Sequence, residues 1–121
     1  MSNNTYQLQI FCSSDDQLNK ISALLNTGPT KQMASTWCLE TEEHESEEYF
    51  DFINQFLDIL EGKYEQLASI GILRKDISLW FLYEYESQCN MEFDPNRLKR
   101  LGTEGITLCI PCWQRGSIIE L

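Results

Sequence analysis

The sequence predicts an α+β fold: one sheet of about four to five strands, with two main helices and one short helix packed on it. The element order is β-α-β-α-β-α-β. Three observations predict this. Short segments alternate apolar and polar residues with period two, as strands do. The segments between them repeat apolar residues with the helical period. Glycine, proline and capping residues punctuate the boundaries. With 121 residues and 42% hydrophobic content, the chain fits a single domain, residues 1–121, with one core.

The first strand is YQLQIFC, in which Tyr6, Leu8, Ile10 and Cys12 share a face. Helix one follows, with Ser14 as N-cap and Gln17 three residues on, a capping-box pattern. Leu18, Ile21, Leu24 and Leu25 form its apolar stripe, and Gly28–Pro29 is its expected stop. Residues 29–36 read as a loop. Trp37, Leu39 and Thr41 then alternate as a second strand.

An acidic loop, residues 42–46, leads into a long helix expected over 47–69, with Ser46 as N-cap. Ile53, Leu57, Leu60, Tyr64 and Leu67 make its apolar stripe, widened by Tyr49 and Phe56. Glu47, Asp51, Asp58, Glu61 and Glu65 recur on the opposite side at helical spacing. Gly62 weakens the middle of this helix by about 1 kcal/mol relative to Ala.

After a turn at 71–75 comes the strongest strand, DISLWFLYEYE. Ile77, Leu79, Phe81, Tyr83 and Tyr85 face one way. Trp80 and Leu82 face the other, giving way to Glu84 and Glu86. The pattern predicts a central strand covered on both faces at its start and half exposed at its end. Asp94 caps a short helix with Pro95 at its first position, Leu98 and Leu101 as contacts and Gly102 as stop. ITLCIPCW is the last clear strand, and Pro111 places it at an edge or ends it there. GSIIEL closes the chain as a short strand or packed tail.

Charge is the other strong signal. The formal net charge is −10. Glu40, Glu42, Glu43, Glu45, Glu47, Glu48, Asp51, Asp58, Glu61 and Glu65 crowd into one stretch with only Lys63 among them. Such a surface repels nucleic acid and anionic membranes and attracts cationic proteins. Phosphate binding needs lysine and arginine, so the aromatics of the central strand do not indicate a base-stacking platform. Arg97, Lys99 and Arg100 form one small basic cluster near a helix C-terminus, where cations are favoured.

No catalytic set emerges. The five cysteines are irregularly spaced, and Cys109 and Cys112, three apart on a strand, point to opposite faces. That spacing favours packed thiols over a metal or redox pair. The single histidine, His44, has no nucleophile signature beside it. The N-terminal segment lacks a basic region followed by an apolar run, and no stretch reaches membrane-spanning length. With the odd cysteine count, this predicts a reduced cytoplasmic protein without cofactor.

The opening strand, the helix ending LLNTGPTKQ, the lone Trp37, the helix FINQFLDILEGKYEQLASI, the strand ISLWFLYEYE and the closing DPNRLKRLGTEGITLCIPCW occur in a familiar order. Across nearly the whole chain they resemble a bacterial domain-of-unknown-function family, the one numbered 4279. The resemblance implies a small bacterial protein and carries over no catalytic residue. By analogy at fold level, it implies an immunity partner of a secreted toxin.

The functional expectation is an acidic protein-binding protein, not an enzyme, that blocks a cationic toxin such as a nuclease. Its partner-binding residues are expected to be Glu47, Asp51, Asp58, Glu61, Glu65, Tyr83, Glu84, Tyr85 and Glu86. The alternative is a small ligand-binding, thiol- or metal-dependent domain using a cleft between sheet and helices. No nucleic acid, membrane, metal or cofactor is expected.

Overall fold

The computed structural model describes residues 4–42, 50–85, 87 and 90–114. The expected order is present, with additions. Strand β1 (Thr5–Phe11) is followed by α1 (Asp15–Leu25), then β2 (Lys31–Met33) and β3 (Thr36–Glu42). Helices α2 (Phe52–Leu60) and α3 (Tyr64–Ser69) lead through a 3-10 turn at Arg74–Asp76 into β4 (Ile77–Tyr85). Helix α4 (Pro95–Glu104) precedes β5 (Thr107–Cys109) and β6 (Cys112–Gln114).

The strands form one mixed sheet in the order β2-β3-β1-β4-β5, with β6 also on β4. β1 sits between β3 and β4 and is antiparallel to both, with Leu8 opposite Leu39 and Leu79. β5 and β6 run parallel to β4, which the α4 crossover makes possible. They are one edge strand interrupted at Ile110–Pro111. Pro111 has no N–H to offer a ladder, and its carbonyl accepts from Tyr83 N at 2.9 Å.

The register sorts the side chains into two faces. Tyr6, Leu8 and Ile10 of β1 share one face with Trp37 and Leu39 of β3 and with Ile77, Leu79 and Phe81 of β4. All helices pack there: Ile21, Leu25, Phe52, Ile53, Phe56, Leu57, Leu60, Leu67 and Leu101 join the same core cluster. Fully burying each aliphatic side chain contributes about 1.5–3 kcal/mol. Tyr6 stacks on Phe52 with centroids 4.7 Å apart, and the Trp37 indole N–H donates to Ser22 Oγ of α1 at 3.0 Å.

Several expectations need correction. The long helix is two helices. Gly62 has φ 75°, a left-handed conformation that glycine tolerates and a continuous helix does not contain. Asp51, not Ser46, caps α2, and its side chain accepts from Asn54 N. Ser46, Glu47 and His44 lie outside the described residues, as does the tail GSIIEL. Helix α1 ends at Asn26 in the left-handed region, ahead of Gly28–Pro29. Helix α4 runs through Gly102 to a cap at Gly105, φ 72°. The predicted loop 29–36 contains a hairpin whose two-residue turn is Ala34–Ser35, with Ser35 at φ 53°. It lacks the Asn-Gly or Gly-containing pair that announces such turns. Finally, among the described residues, β4 carries helices on one face only. Trp80 and Leu82 lie on the helix-free face.

Candidate protein-docking face

Helices α2 and α4 lie side by side, and that packing decides the fate of the acidic stripe. Arg97 and Arg100, three apart on α4, reach the α2 acids. Arg97 Nε lies 2.9 Å from Asp51 Oδ1, and Arg97 also pairs with Asp94 at the start of its own helix. Arg100 lies 2.8 Å from Asp58 Oδ1, 2.9 Å from Glu104 Oε2 and 3.9 Å from Glu61 Oε2. Burial opposes ionisation of Asp51, but hydrogen bonds from Asn54 and the Arg97 guanidinium outweigh it and hold the carboxyl below the ordinary range.

Among the described residues, the expected acidic stripe is thus partly compensated from within the molecule, although the Asp58 and Glu61 side chains stay 65% and 74% exposed. Asp51, Asp58 and Glu61 form a charged seam with arginines of the same molecule. Glu65 is exposed on α3 and enters no ion pair among the described residues. The seam continues into Tyr64, whose hydroxyl donates to Glu104 Oε1 at 2.6 Å. Burial and that carboxylate push the phenol well above its usual range. Arg74 lies 4.0 Å over the Tyr64 ring. The signal for this seam was present in the sequence: Arg97 and Arg100 share a helix face.

The second predicted patch is split by the sheet. Tyr83 and Tyr85 point to the helix side. Tyr83 stands edge-on to Phe81 at 5.3 Å, and its hydroxyl donates to the Asn90 carbonyl. Glu84 points to the opposite face, and Glu86 lies outside the described residues. Strand alternation forces this separation.

The helix-free face gathers a different set. Across its strands run Glu40, Gln7, Trp80 and Cys109 in one row, and Glu42, Thr5 and Leu82 in the next. Glu84 sits opposite Trp113. Trp80, Leu82 and Trp113 are half-buried, whereas Glu42 is exposed. Both indoles are anchored: Trp80 Nε1 donates to Ser78 Oγ at 2.8 Å and Trp113 Nε1 to Glu84 Oε2 at 3.3 Å. Gln7 is only 3% exposed, and among the described residues no helix covers it. Its amide donates to Glu40 Oε1 at 2.7 Å and its carbonyl accepts from Gln9 Nε2 at 2.6 Å. Lys31 Nζ lies 3.5 Å from the same Glu40 oxygen. This polar chain fixes the middle of the face, and the anchored indoles fix its outer side. Sequence alternation identified Trp80 and Leu82 as sharing a face but assigned that face a cover.

Other chemistry is sparse. Cys109 lies on the helix-free face and Cys112 on the other, and both are free. Burial pushes the Cys12 and Cys38 thiols above their ordinary value, which makes them poor nucleophiles. No group of three His, Cys, Asp or Glu among the described residues is placed to hold a metal. A cleft of about 820 Å³ opens between the start of α1 and the β2–β3 hairpin, beside Cys12, Ser14 and Lys31. Neither Cys109 nor Cys112 lines it. Among the described residues, no helix is long and apolar enough to cross a membrane. No family model, curated protein or solved structure matches this chain.

Proposed function

We propose that this chain is a protein-binding protein whose partner presents a cationic surface, and that the contact lies on the helix-free face of the sheet. The carrying observation is the composition of that face. Trp80, Leu82 and Trp113 are half-buried on the face that also carries Glu40, Glu42 and Glu84. Aromatic side chains fixed within a polar surround are what interface hot spots favour. Lys31 is the one cation on this face among the described residues. Lys20, Lys63, Arg97, Lys99 and Arg100 lie on or between the helices, and Arg74 and Lys75 in the 3-10 turn before β4. Internal pairing there leaves the sum unchanged at −10, so long-range attraction of a cation persists.

Inhibition of a cationic enzyme, such as a nuclease toxin, is the specific form of this reading. An acidic face laid over a positive substrate groove would exclude an anionic substrate by bulk and by charge.

The test is affinity capture from the organism that carries the gene, with three baits. The wild type should retain a protein of basic pI that elutes as salt rises. A variant carrying Glu40→Gln, Glu42→Lys and Glu84→Lys should lose it. A variant carrying Asp58→Asn, Glu61→Gln and Glu65→Gln should keep it. Loss from the helix variant alone, or capture of an acidic protein by all three baits, contradicts the reading.

A further inference from the structure

We infer that the partner's contact residues are arginines, seated against the ring faces of Trp80 and Trp113, with the Glu84 carboxylate beside Trp113. This rests on the docking face proposed above and specifies what it recognises. Each indole has already committed its only polar group: Trp80 to Ser78 and Trp113 to Glu84. An indole N–H can only donate, so these rings have no hydrogen bond left to give. What they offer is a π face and a carbon edge.

The same bonds restrain the rings over the sheet, so little side-chain freedom remains to be lost on binding. A π face attracts cations, and tryptophan does so best. Glu84 lies beside Trp113, whereas Glu40 shares the cross-strand row of Trp80 two strands away, with Gln7 between them. The carboxylate adjacent to a ring is therefore Glu84. Guanidinium suits this pairing better than ammonium. It is planar, stacks on rings, is weakly hydrated and can still donate at its edge to a carboxylate. A neutral aromatic or aliphatic partner would use the rings but leave the net charge of −10 without a counterpart. A second copy of this chain would bring the same charge against itself.

The probes are a nona-arginine and a nona-lysine peptide, titrated into the wild type at low salt with tryptophan emission as readout. The chain has three tryptophans and Trp37 is 0% exposed, so a change in emission on binding reports mainly Trp80 and Trp113. Nona-arginine should shift the emission and bind more tightly than nona-lysine. Replacing both rings, Trp80→Leu with Trp113→Leu, should weaken nona-arginine about tenfold while nona-lysine changes less. A helix-layer variant, Glu65→Gln, should weaken nona-arginine less than the double tryptophan variant does, and should affect the two peptides alike, as a long-range charge effect must.

Equal binding of the two peptides, unaltered by the double tryptophan variant, overturns the arginine inference and leaves a purely electrostatic docking face standing. Absence of binding by either peptide overturns both. Wild-type emission unmoved at saturation overturns the inference without any variant, which covers the case in which the double variant does not fold. A wild type that sediments as a dimer while the tryptophan variant is monomeric assigns the face to self-contact and also overturns it.

Discussion

Arg100 Nη1 stands 2.8 Å from Asp58 Oδ1 and 2.9 Å from Asn54 Oδ1, so one α4 cation holds α2 at two successive turns. Its Nε holds Glu104 at 2.9 Å. Arginines of α4 thereby meet acids of α2 along a seam whose outer side, at Asp58 and Glu61, stays open to solvent.

That seam should matter to stability more than its surface position suggests. Arg100→Met strips partners from Asp58 and from Glu104, whose side chain is only 17% exposed. The loss should be about 1–3 kcal/mol in urea unfolding. Asp58→Asn should cost less, within about 1 kcal/mol, because Asp58 is largely solvated. Equal and negligible effects would show that the seam contributes nothing.

Asp51 does two things at once. It caps α2 through Asn54 N at 3.1 Å and meets Arg97 Nε at 2.9 Å. Asp51→Ala should therefore destabilise by about 0.5–2 kcal/mol, the range for losing an N-cap. Its folded pKa lies below its unfolded one. Its contribution is thus complete above the ordinary carboxylate value, about 4, and is lost as pH falls through the folded value. Acid unfolding curves of wild type and Asp51→Asn should converge below that value. A constant difference down to the lowest pH would contradict the assignment.

Gly62 separates two architectures by the sign of one mutation. Within an unbroken helix, Gly62→Ala would stabilise by about 1 kcal/mol. At φ 75° it should instead destabilise by about 1–2 kcal/mol, the left-handed penalty of a residue with Cβ. A rise in Tm would restore the single helix over 47–69.

Trp37 ties β3 to α1. Its indole N–H reaches Ser22 Oγ at 3.0 Å from a fully buried ring. Ser22→Ala leaves that donor unpaired and should cost about 1–3 kcal/mol. Trp37→Ala removes the ring as well and should cost about 3–5 kcal/mol. Near-equal values for the two would place the tryptophan's worth in its hydrogen bond alone.

The fold was legible where local chemistry decides it. Period-two patterning located β1, β3 and β4, Ser14 announced the start of α1, and Asp94–Pro95 announced that of α4. Pro111 marked the edge strand. Breaks set by backbone conformation were less legible: the apolar stripe from Ile53 to Leu67 keeps helical period across Gly62, although the chain turns there. The β2–β3 turn uses Ala34–Ser35, which carries no turn signature. The acidic stripe was misread because periodicity assigns a face within a helix but not the neighbour opposite it. Only the packing of α2 against α4 brings Arg97 and Arg100 to those acids. In the same way, alternation pairs Trp80 with Leu82 but does not say which side the helices take.

Contact of a cationic partner with the helix-free sheet face is readable residue by residue in a two-dimensional amide and indole NMR titration of the intact chain with nona-arginine at low salt. Shifts should concentrate at Gln7, Trp80, Leu82 and Trp113, including both anchored indole N–H signals. Shifts confined to Asp58, Glu61 and Glu65 on the helix layer, with the sheet face silent, would contradict it.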